Sequence, residues 1–218
     1  ARAIACEEIH LAIAGGAESM SRAPYVMPKA DAAFSRGHSL QDTTIGWRLI
    51  NPLMKKLYGV DSMPETAENV ADDYKVNRAD QDLMAMRSQN KAAAAQASGR
   101  LAKEITPVTI PQKKGDSMII HQDEHPRATT LDALSKLKPI VRPDGTITAG
   151  NASGVNDGAC ALLLASGAAA EQYGLKPLAR IAAFGTSGLD PAHMGMGPVP
   201  ASQKALARAG WKAQDVDL

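Results

Sequence analysis

Small, polar and glycine residues crowd most densely at Gly145-Thr-Ile-Thr-Ala-Gly-Asn-Ala-Ser-Gly-Val-Asn-Asp-Gly158, so the search for chemistry starts there. Gly150, Gly154 and Gly158 permit turns through positive φ and close approach to a bound group. The small residues between them leave main-chain N–H and C=O groups bare, as a site that grips a ligand by its backbone requires. The same stretch reads equally well as a plain loop feeding the apolar run Cys160-Ala-Leu-Leu-Leu-Ala165. Other constellations fail on context. His121-Gln-Asp-Glu-His125 spells a zinc-binding H-x-x-E-H, but Pro126 follows at once, strand-like residues precede it and no third ligand is evident, so no metal is expected. Ser153 lacks the glycine two residues earlier that a nucleophile elbow needs; Asn151 stands there, and the hydroxyl suits a ligand amide better. Gly195-Met-Gly-Pro-Val-Pro200 lacks the third glycine of a dinucleotide loop, and Pro198 removes a donor that a phosphate wants. Cys6 has no histidine or small-residue turn beside it and reads as a buried structural thiol.

The elements that must position these residues follow from pattern. Residues 2–10 read as a helix and 11–14 as a buried strand ended by Gly15-Gly16, the grammar of a βα unit in a parallel sheet. Residues 24–63 hold scattered Pro and Gly but recurring apolar side chains, which predicts an ordered excursion. A short helix over 66–74 precedes a long one, N-capped by Asn77, running through Ser98 and stopped by Gly99, with Leu83, Met86 and Ala93 on its inner face. Residues 105–110 and 117–120 read as a hairpin turning at Lys113-Lys-Gly-Asp116, and 130–138 as a short helix halted by Pro139. Strand 159–165, helix 168–173, strand 179–185, helix 200–209 and the start of a strand at 215–218 complete the pattern. Residues from about 25 to 155 thus form an insertion between two parts of one α/β system.

Composition bounds the function. A chain of 218 residues holds one large domain or pieces of two. With 44% hydrophobic but only 4% aromatic residues, its core must be built from Ala, Leu, Ile, Val and Met. A net charge of +1 argues against nucleic acid as a partner. No apolar run approaches the roughly 20 residues that span a bilayer. Two isolated cysteines make no disulfide scaffold, so a cytoplasmic setting is the expectation.

Four segments, in order along the chain, resemble the thiolase family. Thr148-Ala-Gly-Asn-Ala-Ser-Gly-Val-Asn-Asp-Gly-Ala159 is similar to its coenzyme-A-binding segment, and Ala12-Ile-Ala-Gly-Gly-Ala-Glu-Ser-Met-Ser-Arg-Ala-Pro24 to the strand and turn before its loop domain. Asp61-Ser-Met-Pro-Glu-Thr-Ala-Glu-Asn-Val-Ala71 and Gly195-Met-Gly-Pro-Val-Pro-Ala201 resemble two further segments. The wording of 61–71 and of Thr43-Thr-Ile-Gly-Trp-Arg48 resembles the β-ketoadipyl-CoA members most closely. The resemblance implies a layered α/β/α thiolase-like fold, partial here. Its divisions would be 1–24 as the end of the N-terminal half, 25–155 as an inserted α+β loop domain capping coenzyme A, 156–176 as a return, and 177–218 as the start of the C-terminal half.

The family's nucleophilic Cys lies upstream of the segment resembling 12–24, and its Asn-Glu-Ala-Phe segment, Gly-His-Pro segment and second Cys lie downstream. The expectation is therefore a central thiolase piece that carries no catalytic side chain and is inactive alone. The intact enzyme implied cleaves a β-ketoacyl-CoA with coenzyme A as substrate, uses no tightly bound cofactor, and forms a homodimer or homotetramer. By resemblance Arg127, one residue closer to Thr130-Leu131 than the family spacing, contacts the coenzyme A nucleotide. Leu134 and Leu137 line its adenine or pantetheine wall, Ala149 and Ser153 meet the pantetheine amides, and Met63 borders the thioester. Ser62 stands where short-chain biosynthetic members carry His. Arg22 or Arg48 would receive an adipyl carboxylate. The rival expectations are a non-catalytic acyl-CoA binder of thiolase-like fold and a purely structural loop domain.

Overall fold

The chain begins with a single helical turn, α1 (Arg2–Ala5), which buries no side chain. It stops well short of residue 10, and Cys6 just beyond it is exposed, not buried as its type suggested. The computed structural model describes residues 1–217 and divides into two units, Ala1–Thr66 with the chain from Val155 onward, and Ala67–Gly154.

In the first unit, β1 (Leu11–Glu18) runs straight through Gly15-Gly16 instead of ending there. A 3-10 turn over Met20–Arg22 leads to β2 (Tyr25–Val26), paired antiparallel with β3 (Gln41–Asp42). Helix α2 (Pro52–Tyr58) has Pro at its first position, and the Asn51 side chain accepts from the Leu53 and Met54 N–H groups. Helix α3 (Met63–Asp73) starts where the Ser62 N–H donates to Glu65 Oε2 at 2.6 Å, and it crosses the boundary between the units. In the second unit, α4 (Arg78–Ala97) opens on Asn77, whose side chain accepts from Asp80 N–H, and closes before Gly99 at φ +72°. The hairpin is β4 (Val108–Ile110) against β5 (Met118–Ile120), turning where Gly115 takes φ +82°. Helix α5 (Leu131–Ser135) is capped by Thr130 and is shorter than 130–138.

Back in the first unit, β6 (Gly158–Ala165) pairs with β1 in antiparallel register, Leu11 opposite Ala165 and Glu18 opposite Gly158. The parallel-sheet expectation is thereby corrected for these strands. The chain leaves the end of β1 and returns into the start of β6 at the same edge, where the Ser21 N–H and Oγ donate to Asp157 Oδ1 and Oδ2 at 2.8 and 2.5 Å. A strand that re-enters at the end its neighbour left must run the other way, and an apolar run carries no mark of direction. Gly15 is required here by closeness, not by turning: a Cβ on it would lie 2.2 Å from the Cys160 carbonyl oxygen.

Helix α6 (Gly167–Gln172) and helix α7 (Pro198–Ala209), the latter ended by left-handed Gly210, follow. Residues 179–185 join no strand among the described residues; the carbonyls of Phe184 and Thr186 accept instead from Arg208 and Lys204 on α7. Residues 213–215 form a 3-10 turn and 216–217 join no strand; Leu218 lies outside the described residues.

Candidate functional site

The glycine-rich loop of the second unit is held by side chains from three helices. Glu68 on α3, only 1% exposed, accepts from the N–H groups of Thr146 and Ile147 and from the Thr146 hydroxyl at 3.0–3.1 Å. A buried carboxylate needs such donors to offset its lost hydration. Gly145 must lack a side chain for this, because a Cβ there would sit 2.3 Å from Glu68 Oε1. Arg142, just before, is held by Asp72 and Asn69 of α3 at 2.7 and 2.6 Å.

From α4, Gln81 Nε2 donates to Thr146 Oγ1 at 2.9 Å, and Asp82 Oδ1 accepts from Asn151 Nδ2 at 3.1 Å. Thr148, fully buried, closes the turn: its N–H donates to Asn151 Oδ1, its Oγ1 accepts from Gly150 N–H, and its carbonyl accepts from the Asn151 and Ala152 N–H groups. The bare backbone expected from the small side chains is therefore largely taken by the protein itself. Ser153 and Gly154 are the exception: both are exposed and make no hydrogen bond to another described residue, and the exposed Ala149 stands beside the backbone bridge between Pro139 and Thr148.

Two floors support those exposed residues. Gly150 packs on α5 and the residues just after it, where a Cβ would lie 2.5 Å from both Leu134 Cδ2 and Leu137 Cδ1. Leu134 is 3% exposed and forms the packed base, whereas Leu137 is 38% exposed. Gly154 lies against the His125 ring, with room for no Cβ (2.2 Å to Cε1). That ring belongs to a non-helical segment, 121–125, tied to α4 where Gln96 donates to the Asp123 carbonyl and the Arg127 N–H donates to Gln89 Oε1 at 2.9 Å. The Arg127 side chain is exposed, with no partner for its guanidinium among the described residues.

Of the residues singled out from sequence, Arg127, Leu134, Leu137, Ala149 and Ser153 thus lie on three segments joined through Gly150 and Gly154. Met63 belongs to the other unit and opens α3 with its side chain 68% exposed. Arg22 is exposed at the end of its 3-10 turn, and the half-buried Arg48 donates to the Gly46 carbonyl. Asp157 and Asp42 are both held below the usual aspartate range, the first by hydrogen bonds from Ser21, the second by those from Thr44.

Sequence reasoning missed Glu68, Asp82, Arg78 and Gln81. On helices they read as solvated charges, and no local signal marks them; in the structure α4 buries Asp82 and Ala85, while Leu83 and Met86 are half-buried and Ala93 is exposed, so the stripe of apolar residues is not its inner face.

These features define an α/β chain whose glycine-rich loop lifts a small exposed crest from a buried polar frame. Residues 1–168 match the family described as "Thiolase, N-terminal domain" and residues 175–218 the "Thiolase, C-terminal domain". The chain belongs to the thiolase family. It is 62% identical over 218 residues to the β-ketoadipyl-CoA thiolase of Pseudomonas putida, covering 100% of this chain and 54% of that protein. It is 57% identical over 219 residues to the 3-oxoadipyl-CoA/3-oxo-5,6-dehydrosuberyl-CoA thiolase of Escherichia coli K12, covering 100% of this chain and 55% of that protein. Among solved structures, human mitochondrial 3-ketoacyl-CoA thiolase is similar at TM-score 0.85 and 39% identity, over 100% of this chain and 54% of that one. The fold is thiolase-like α/β, and the chain spans about half the length of the curated relatives it matches.

Proposed function

We propose that these residues supply the coenzyme-A-binding surface of a thiolase that cleaves β-ketoadipyl-CoA with free coenzyme A. The observation that carries the reading is the crest itself: Ser153 keeps exposed polar groups without internal partners beside the exposed Ala149, flanked by the half-exposed Leu137 and the free guanidinium of Arg127. An extended arm with amides and an apolar stem suits the first three, and a phosphate suits the last. Leu134 acts from below, by fixing Gly150. The dicarboxylic substrate is drawn from the relatives' names and from the wording of residues 43–48 and 61–71.

In this reading the reacting groups stand in parts of the protein outside these residues. A cysteine thiolate there takes the acyl group as the carbon–carbon bond breaks, acetyl-CoA leaves after gaining a proton at its α-carbon, and the thiol of a second coenzyme A takes the acyl group from the cysteine. The insertion expected over 25–155 is read here as the cap over that coenzyme. The whole enzyme works in a reducing cytoplasm, in keeping with the unpaired Cys6 and Cys160, as a dimer or a pair of dimers.

The test is a coenzyme-A-dependent assay of the full-length protein on β-ketoadipyl-CoA and acetoacetyl-CoA. Turnover of the first in preference to the second is expected. Calorimetric binding of coenzyme A without turnover of either would leave a non-catalytic binder, and absence of both would leave a scaffold.

A further inference from the structure

We propose that Asn151 is a positioning residue that, through Asp82 and Arg78, locks the crest 149–153 to α5, so that the two walls of the coenzyme A surface keep one spacing. The proposal rests on the reading of Ala149, Ser153 and Leu137 as contacts for the pantetheine arm. Asn151 uses both ends of its amide. Its Oδ1 accepts from Thr148 N–H at 2.7 Å, and its Nδ2 donates to the Thr146 carbonyl at 3.0 Å, to Asp82 Oδ1 at 3.1 Å and more weakly to Gln81 Oε1 at 3.4 Å.

Asp82, 4% exposed, stands between two donors, because its Oδ2 accepts from Arg78 Nε at 2.8 Å. The same guanidinium reaches the C-terminal end of α5 and the turn after it: Arg78 Nη2 donates to the carbonyls of Leu134 and Leu137 at 2.6 and 3.2 Å. One unbroken run of hydrogen bonds therefore leads from the loop amide at 148, across α4, to the carbonyl of the residue that forms the opposite wall. Charge-assisted bonds in a buried setting resist bending more than neutral exposed ones do.

Only an amide fits position 151, since the site asks for an acceptor toward Thr148 and a donor toward Asp82 at once. An aspartate there would keep the first bond and set a second carboxylate against Asp82. Exchanging the two side chains restores the link to α4 alone: the amide, now at position 82, donates to the carboxylate at position 151 while its oxygen still accepts from Arg78, and the Thr146 carbonyl stays without the donor that Asn151 gave it.

The experiment compares the wild-type full-length protein, Asn151→Asp, and the exchange Asn151→Asp with Asp82→Asn, reading KM for coenzyme A, kcat and Tm. Asn151→Asp is expected to raise KM for coenzyme A about tenfold with kcat within about twofold, the pattern of lost binding with intact chemistry. The exchange is expected to bring KM back to within about threefold of wild type. An Asn151→Asp protein with unchanged KM, or an exchange that recovers Tm but not KM, overturns the lock. If Asn151→Asp does not fold, Arg78→Lys decides, because a lysine keeps the cation for Asp82 but cannot also span both carbonyls. A raised KM at wild-type Tm supports the lock, and an unchanged KM overturns it. A wild-type protein that does not use coenzyme A at all strikes the parent reading instead.

Discussion

The β1–β6 ladder and the glycine-rich loop are both places where glycines sit tight against a neighbour, yet they are held in opposite ways. In the ladder the backbone does the holding: eight residue pairs stand in register along it while Ile13 stays 79% exposed. In the loop, side chains do it, with Glu68, Asp82 and Asn151 each satisfying backbone groups or one another, and Glu68, Asp82, Ile147 and Thr148 buried around it. A ladder tolerates changes of side chain and punishes intrusion on its backbone. A loop built on carboxylates tolerates no loss of those few acids.

The sharpest break of that contrast is Glu68→Ala. It strips the acceptor from two N–H groups and a hydroxyl, and is expected to cost about 3 kcal/mol in the full-length protein. Hydrogen exchange should speed at Thr146–Thr148 amides before it changes at β1 and β6; a uniform change across both would merge the two regions into one. Gly15→Ala is its mirror, forcing a Cβ into the Cys160 carbonyl for about 2 kcal/mol, with faster exchange expected first in the ladder. Asn77→Ala removes the cap of α4 and should cost about 1 kcal/mol in thermal melts, with Gly at the same position costing less.

Two smaller effects refine the picture. Alanine at both Arg22 and Arg48 is expected to lower the preference for the adipyl over the acetyl chain, read as a ratio of kcat/KM; an unaltered ratio removes both from substrate choice. At the mouth of the ladder, the Asp157 carboxyl is held low in the folded protein by Ser21. The stabilising tie is therefore present above the ordinary value of 3.8 and is lost as pH falls through the lowered folded value. Ser21→Ala should move the Asp157 titration, followed by NMR, up toward 3.8.

The same contrast explains what could be read from the sequence. Helix α4 was legible because its signals are local: Asn77 at one end, Gly99 at the other. The hairpin at Gly115 was legible for the same reason, and the crest residues Ala149 and Ser153 came from a resemblance that needs no folding argument. The direction of β6 was not legible, because its partner lies across the whole insertion and Gly15-Gly16 looks like a stop when it is a close approach. The strand expected over 179–185 does not form among the described residues, since an apolar run makes a strand only when a neighbour pairs with it. Glu68 and Asp82 escaped notice because a charge on a helix is ordinarily a solvated one, and only the loop 78 and 69 residues further on turns them inward.

The claim that matters most is that the crest with Arg127 and Leu137 holds coenzyme A. Titration of coenzyme A into the full-length protein and its Arg127→Ala, Leu137→Ser double variant measures this directly. The account predicts binding weakened at least about tenfold in the double variant. Equal affinity in the two proteins would contradict it.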